Sequence, residues 1–255
     1  RESGVEKRTA LITGGGSGIG LTIARAFALA GVTPVLAGRS KARLEAAAAN
    51  IEGAAFVPLD VTCEESVQHA FSHLTTAGYE PDILVNNAGA AATASFERTD
   101  IATWQAMLDV NLTGAFLCAR AALPTMKKRG FGRVVTIAST AGLKGYAYTA
   151  AYAAAKHGVI GMTRSLALEL AGTGVTANTV CPGFTDTDIV QSSIKNIVEK
   201  TGRSEKEALE ALTKHNPEKR LIAPEEVADT VLWLAGERAS AINGQAVAVA
   251  CGEIM

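Results

Sequence analysis

No charge of either sign dominates this chain. Over 255 residues the formal net charge is −1, so there is no electrostatic case for nucleic acid or an anionic membrane surface as partner. No apolar run reaches the roughly 18–20 residues of a membrane span. The opening residues, RESGVEKRTALITGGG, carry no apolar leader ahead of the first strand pattern. Cysteine is sparse. Cys63, Cys118, Cys181 and Cys251 are scattered with no C-x-x-C pair, which argues against a disulfide framework and predicts reduced thiols in a cytoplasmic protein. No metal site is expected either: His69 and His73 stand at i, i+4, but no third ligand is near them in sequence. Repeats, low-complexity tracts and linker-like stretches are also lacking, which points to one domain across 1–255.

What is present is a well-cored globular composition, 48% hydrophobic and 19% charged. Short apolar runs alternate with helical patterns. RTALIT (8–13), VTPVLAG (32–38), AAFVPLD (54–60), DILVNNAG (82–89), GRVVTIAS (132–139), VTANTVCPG (175–183) and QAVAVA (245–250) read as seven strands. Helical periodicity fills the intervals: to about residue 30, then 41–51, 64–77, 100–129, 149–172 and 225–235. Near-continuous apolar strands between helices predict an α/β fold, a doubly wound parallel sheet covered on both faces.

One stretch concentrates chemistry. In STAGLKGYAYTAAYAAAK, Tyr152 and Lys156 are four residues apart, which places them on one helix face. A lysine ammonium near a phenol favours the phenolate and lowers its pKa from about 10, giving an acid/base able to work near neutral pH. Ser139 ends a strand, where its hydroxyl can hold a carbonyl or alcohol oxygen. Taken alone, the triplet also fits an ordinary alanine-rich helix.

A second motif lies at the first strand. Thr13 to Gly20 read T-G-x-x-x-G-x-G between strand and helix. A dinucleotide pyrophosphate needs this arrangement: glycines for a tight turn and close backbone approach, and helix N-terminal N–H groups for the anion. An ordinary tight turn is the alternative. Cofactor choice is read at the end of the second strand, where a carboxylate would accept the ribose hydroxyls of NAD. Gly38 and Arg39 stand there, with Lys41 and Arg43 beyond. Nothing repels a 2′-phosphate and Arg39 can pair with it, which favours NADP over NAD, unless these residues form a solvated basic loop.

With both motifs in hand the chain resembles the short-chain dehydrogenase/reductase family, in its subclass of roughly 250-residue enzymes, and is similar to 3-oxoacyl reductases and polyketide ketoreductases. The residues that carry the resemblance are TGGGSGIG at 13–20, Asp60-Val61, NNAG at 86–89, Asn111, Ser139, YAAAK at 152–156 and PGFTDT at 182–187. The resemblance implies a Rossmann-type domain and assigns roles. Tyr152 is the acid/base, Lys156 tunes it and holds the nicotinamide ribose, and Ser139 binds the substrate oxygen. Asn111 helps order a water that relays protons to Lys156. Gly14, Ser17, Gly18, Ile19 and Gly20 cradle the pyrophosphate, and Asp60 and Val61 flank the adenine. Asn87, Ala88 and Gly89 line the cofactor, while Pro182, Gly183, Thr185 and Thr187 close over its nicotinamide end. Read from the residues alone, Asn87 and Asn111 also fit turn or kink positions, and Asp60 fits a cap for the helix after it. His157 reads as a packed helix residue. One departure is visible. Where many members carry a D-G-G-like turn after the last strand, this chain has Ala250-Cys251-Gly252, which bears on how the C-terminus meets a neighbouring subunit and not on the chemistry.

The polar segment 185–216 is expected to fold over the substrate as a lid, its charges on one solvated face. Arg129, Arg203, Lys206 and Lys214 are alternatively a docking surface for a carrier-protein or CoA phosphate. The pocket floor is expected from Thr140, Ala141, Leu143, Tyr146 and Phe184, with Ser139 and Tyr152. It holds no fixed cation to grip a small carboxylate, which suits a ketone or a 3-oxoacyl thioester. The long helices 100–129 and 149–172 are rich in small residues and suit close packing in a homotetramer, or merely cover the sheet. The leading reading is an NADPH-preferring reductase of a 3-oxoacyl thioester or related ketone. The alternatives are an NAD-linked catabolic dehydrogenase of a 3-hydroxyacyl compound or 3-hydroxybutyrate, and a non-catalytic nucleotide sensor.

Overall fold

The computed structural model describes residues 8–254; residues 1–7, within the stretch read above for a leader, lie outside them. Strands β1 (Thr9–Thr13), β2 (Thr33–Gly38), β3 (Ala55–Pro58), β4 (Ile83–Asn86), β5 (Gly132–Ile137), β6 (Val175–Pro182) and β7 (Ala246–Val249) form one parallel sheet. Its order is β3-β2-β1-β4-β5-β6-β7. Helices α1 (Gly18–Leu29), α2 (Lys41–Ala48), α3 (Glu64–Thr76), α4 (Ile101–Leu108), α5 (Gly114–Arg129), α6 (Ala150–Glu169), α7 (Asp188–Thr201), α8 (Glu205–Leu212) and α9 (Pro224–Ala235) connect and cover it.

The alternation of side chains along each strand splits the core in two. Leu11, Val35, Leu84, Val134 and Ala177 face α3, α5 and α6, where they meet Val67, Leu74, Leu117, Met126 and Leu170. Ile12, Leu36, Val85, Val135 and Val180 face α1, α2 and α9, against Ile23, Phe27, Leu44, Val231 and Leu234. Each fully buried Leu, Ile or Phe contributes roughly 1.5–3 kcal/mol, so both layers hold the sheet firmly. Strand order reverses between β1 and β4, and the loops leaving their C-terminal ends open a crevice there.

The helix expected over 100–129 is not a single α-helix. Five residues, Asp109–Thr113, form a π-helical turn between α4 and α5. The whole run Ile101–Arg129 is long and apolar enough by average to cross a membrane, although polar residues interrupt every purely apolar stretch in it. Its buried side packs against the sheet and α3, with α4 against α6, as a core helix does.

Candidate active site

The crevice is a cleft of about 1570 Å³, lined from the C-terminal ends of β1 to β6 and from α7 and α8. Its first wall is the glycine turn. Gly14 is left-handed (φ 66°), and a Cβ there would lie 2.9 Å from Asn87 Nδ2. A Cβ on Gly20 would fall 2.4 Å from the Gly14 carbonyl oxygen. Gly20 therefore lies behind the turn and lets α1 close on it, while Gly14, Gly16, Ser17, Gly18 and Ile19 face the cleft. Asn87 locks the turn in place: its amide donates to Thr13 O at 2.9 Å, and Thr13 Oγ1 accepts from the N–H of Asn87 and of Ala88, both at 3.0 Å. Ser17 caps α1 without a side-chain bond to the helix, so the first N–H groups of α1 point toward the cleft, where an anion is favoured.

Beyond β2, Arg39 is exposed on the rim. Arg43, not singled out from sequence as a site residue, joins it. Ser40 starts α2 by accepting from the Arg43 N–H, and the Arg43 side chain then lies beside Gly16, where a Cβ would meet its Cγ at 3.3 Å. Helical geometry after Ser40 was the available signal. Asp60 and Val61 form the next edge. The Asp60 carboxylate accepts from the Thr62 N–H at 3.0 Å and hydroxyl at 2.7 Å, which holds its pKa below the usual range, with Arg39 helping. It thus caps the turn before α3 while standing on the cleft wall.

At the far end Ser139, Tyr152 and Lys156 converge. Ser139 Oγ accepts from the Ala141 N–H at 3.1 Å, and its hydroxyl faces the Tyr152 phenol closely enough to favour the phenolate. Lys156 is buried, 4% exposed; its Nζ donates to Ile137 O at 2.8 Å and lies 5.6 Å from the Tyr152 ring centroid. The expected lowering of the Tyr152 pKa is not what this arrangement gives. Burial prevails and pushes the phenol up, with the Ser139 hydroxyl pulling the other way. Burial also lowers the Lys156 ammonium to about 8. The ammonium donates to Ile137 O and not to the phenol, so its charge does not offset desolvation.

Asn111 sits in the π-helical turn, 3% exposed. The extra residue of such a turn re-aims a side chain; here the Asn111 amide donates to Ala90 O at 2.9 Å and Met107 O at 3.0 Å. Its Oδ1 and Lys156 Nζ flank Gly89, whose missing Cβ would lie 2.7 Å and 3.7 Å from them. Pro182, Gly183, Phe184, Thr185 and Thr187 close the cleft from β6, and Thr140, Ala141 and Tyr146 form its floor. Leu143, expected on that floor, packs instead into an apolar cluster with Ala138, Val159 and Ile160. His157 is exposed, not packed, and contacts Ala153 O at 2.9 Å. Arg129 is occupied elsewhere, by Glu80 and Asp82 at the entry to β4, far along the strands from the cleft mouth.

The sequence profile of the short chain dehydrogenases matches residues 8–197. The chain belongs to that family. A D-beta-hydroxybutyrate dehydrogenase of Rhizobium meliloti is 37% identical over 249 residues, 95% of this chain and 96% of the relative. The 3-oxoacyl-[acyl-carrier-protein] reductase FabG of Aquifex aeolicus is 38% identical over 250 residues, 96% of each chain. Among solved structures, a Phe-to-Trp variant of an actinorhodin polyketide ketoreductase with NADPH superposes with a TM-score of 0.90 at 34% identity, covering 97% of both chains. As a short chain dehydrogenase the protein is an NAD(P)-dependent oxidoreductase acting on hydroxyl and keto groups. The cleft fits that cofactor: the glycine turn, Asn87–Gly89 and the α1 N-terminus wall it with backbone, and a Cβ on Gly14 or Gly89 would strike Asn87 or Asn111 and push that wall out of place.

Proposed function

We propose that this enzyme is an NADPH-preferring reductase of a 3-oxoacyl thioester or a related ketone. The observation that carries the reading is the distribution of cations in the cleft. Arg39 and Arg43 stand at the glycine-turn end, where a 2′-phosphate would lie. The substrate end is walled by Thr140, Ala141, Tyr146, Phe184, Val190 and Leu212. Of the lysines near it, Lys156 is buried behind Tyr152 and Lys144 is paired with Glu253. Among the described residues, a free carboxylate substrate finds no unpaired lysine or arginine there, whereas an acyl chain finds an apolar wall.

The nicotinamide, when bound, supplies or accepts the hydride. The protein handles the oxygen. In the reductive direction the Tyr152 phenol, kept protonated by burial, donates its proton to the carbonyl oxygen, and Ser139 donates a hydrogen bond to the same atom. Lys156, with its pKa near 8, carries a proton through neutral pH and returns one toward Tyr152. Asn111, on the other side of Gly89, lies on the route by which solvent reaches it. Helices α7 and α8, which supply Val190, Ile197 and Leu212 to the wall, act as the lid of a single catalytic domain. Phe116 on α5 and Leu168 on α6, both exposed, support assembly through these helices into a homotetramer. The thiols of Cys63, Cys118, Cys181 and Cys251 are unpaired, in keeping with a reducing cytoplasm.

The test is a panel of ketones, 3-oxoacyl thioesters and secondary alcohols followed by absorbance of the reduced nicotinamide, with binding titrations of NADPH and NADH. Tighter NADH binding, with 3-hydroxybutyrate the best substrate, would overturn this assignment in favour of the catabolic dehydrogenase.

A further inference from the structure

Beyond β7 the chain reverses. Cys251 (φ 49°) and Gly252 (φ 80°) are both left-handed, and the Glu253 N–H donates to Ala250 O at 3.0 Å, as in a type I′ turn. The turn carries Glu253 inward, where its side chain is 3% exposed. A carboxylate so enclosed is costly without partners, and it has two. Lys144 Nζ lies 2.9 Å from Oε1, and the Tyr146 phenol donates to the same oxygen at 2.6 Å. The phenol oxygen is also bonded to the Thr140 hydroxyl at 2.7 Å. Held on both sides, the Tyr146 ring stands edge-to-face with Phe184, centroids 6.2 Å apart at 85°. Glu253 Oε2 lies against Gly183, and Gly252 against Pro217, just past α8. One short tail thus ties the 140–146 loop, the 182–184 loop and the foot of the lid.

We propose that Glu253 is a positioning residue for the substrate wall: with Lys144 it clamps the Tyr146 phenol, fixes that ring against Phe184 and so sets the pocket width beside Ser139 and Tyr152. Glu253 touches no reacting atom. A phenol engaged by Glu253 and Thr140 has no hydrogen left for a substrate. Its wall therefore offers ring carbon and receives the hydrocarbon part of a ketone, while the keto oxygen turns to Ser139 and Tyr152. The inference rests on the carbonyl-reductase reading of the cleft.

The experiment compares wild type, Glu253→Ala, Glu253→Gln, Tyr146→Phe and the Glu253→Ala/Tyr146→Phe double variant. Glu253→Ala raises KM for a long-chain ketone by about 10-fold, as a small misplacement of a positioning wall does. It changes kcat and the NADPH Kd by less than about 3-fold. Glu253→Gln, which keeps an acceptor for the phenol, restores most of the KM. The double variant is no worse than the worse single one, because both changes break one link. An unchanged KM in Glu253→Ala, or effects that add, overturns the proposal. If Glu253→Ala does not fold, Lys144→Met at the half-open end of the clamp replaces it and raises KM in the same sense; an unchanged KM there is equally fatal. Tyrosine-labelled NMR separates this idea from the assigned reaction. The Tyr146 signal shifts in Glu253→Ala with no substrate needed. A shifted signal in a protein that turns over no ketone overturns the reductase reading and not the clamp. An unmoved signal in an active reductase overturns the clamp alone.

Discussion

The two ends of the cleft are built by different means. The cofactor end is backbone: a glycine turn braced by Thr13 and Asn87, the first turn of α1, and strand ends locked in register. The substrate end is side chain: Tyr146, Phe184 and the faces of α7 and α8, joined by contacts far apart in the chain. A backbone cradle admits one shape of ligand, because moving it means moving the sheet. A side-chain wall changes with each residue on it. Relatives named for a hydroxybutyrate and for a 3-oxoacyl group on the same scaffold are what such a division allows.

Substitutions at the two ends should therefore separate binding from turnover, and the largest effect is expected at their junction. Tyr152→Phe removes the proton donor and lowers kcat by about 10²–10⁴, while NADPH binding, followed by nucleotide fluorescence, stays within about 3-fold. A variant that kept near wild-type turnover would sink the acid/base assignment.

Lys156 offers a pH test on the protein without cofactor. Its pKa falls from 10.5 to about 8 on folding, so between those values the unfolded chain binds the extra proton. Stability should rise with pH across that window, on the order of 2–3 kcal/mol, with the cost fully present below pH 8. Lys156→Met should flatten this rise in urea denaturation measured from pH 7 to 10. Above pH 10 the raised Tyr152 phenol acts in the opposite direction.

At the cofactor end alone, Arg39→Ala should weaken NADPH by about 10-fold and leave NADH within about 2-fold in parallel titrations, one charge-assisted contact being at stake. Equal losses for both nucleotides would place Arg39 outside the 2′-phosphate site. The smallest effect belongs to the tail. Cys251 occupies a left-handed position that asparagine adopts more readily. Cys251→Asn should raise stability by less than about 1 kcal/mol, read as a small increase in Tm, with KM unaltered.

Much of this was legible in the sequence because local pattern and final position coincide. Seven apolar runs became seven strands, and Ser139, Tyr152 and Lys156 were marked by spacing on one strand end and one helix. Three features were not legible, each for a physical reason. The π-helical turn at Asn111 sits in a run that satisfies α-helical periodicity equally well. The upward shift of the Tyr152 phenol comes from its burial, with the Lys156 ammonium turned to Ile137 O, and no i, i+4 count fixes a phenol's burial or a lysine rotamer. Glu253 meets Tyr146 across 107 residues of chain, and a lone carboxylate after a turn has no periodic signature. Leu143 failed for a related reason: it belongs to the pocket loop in sequence, but the short helical turn at Thr140–Gly142 points it into the packing beneath.

The strand order β3-β2-β1-β4-β5-β6-β7 also bears on how the enzyme is made. β1 must await β4, whose partner residue Ile83 lies 73 positions beyond Ala10, and β7 joins only after the lid helices have been synthesised. Pairings this distant in sequence slow folding, since each closes a long loop before it is rewarded. The nucleotide cradle waits as well, since Ile23 and Phe27 of α1 share one buried cluster with Val231 and Leu234 of α9. The Tyr146 clamp waits longest, because Glu253 is made after every element it ties.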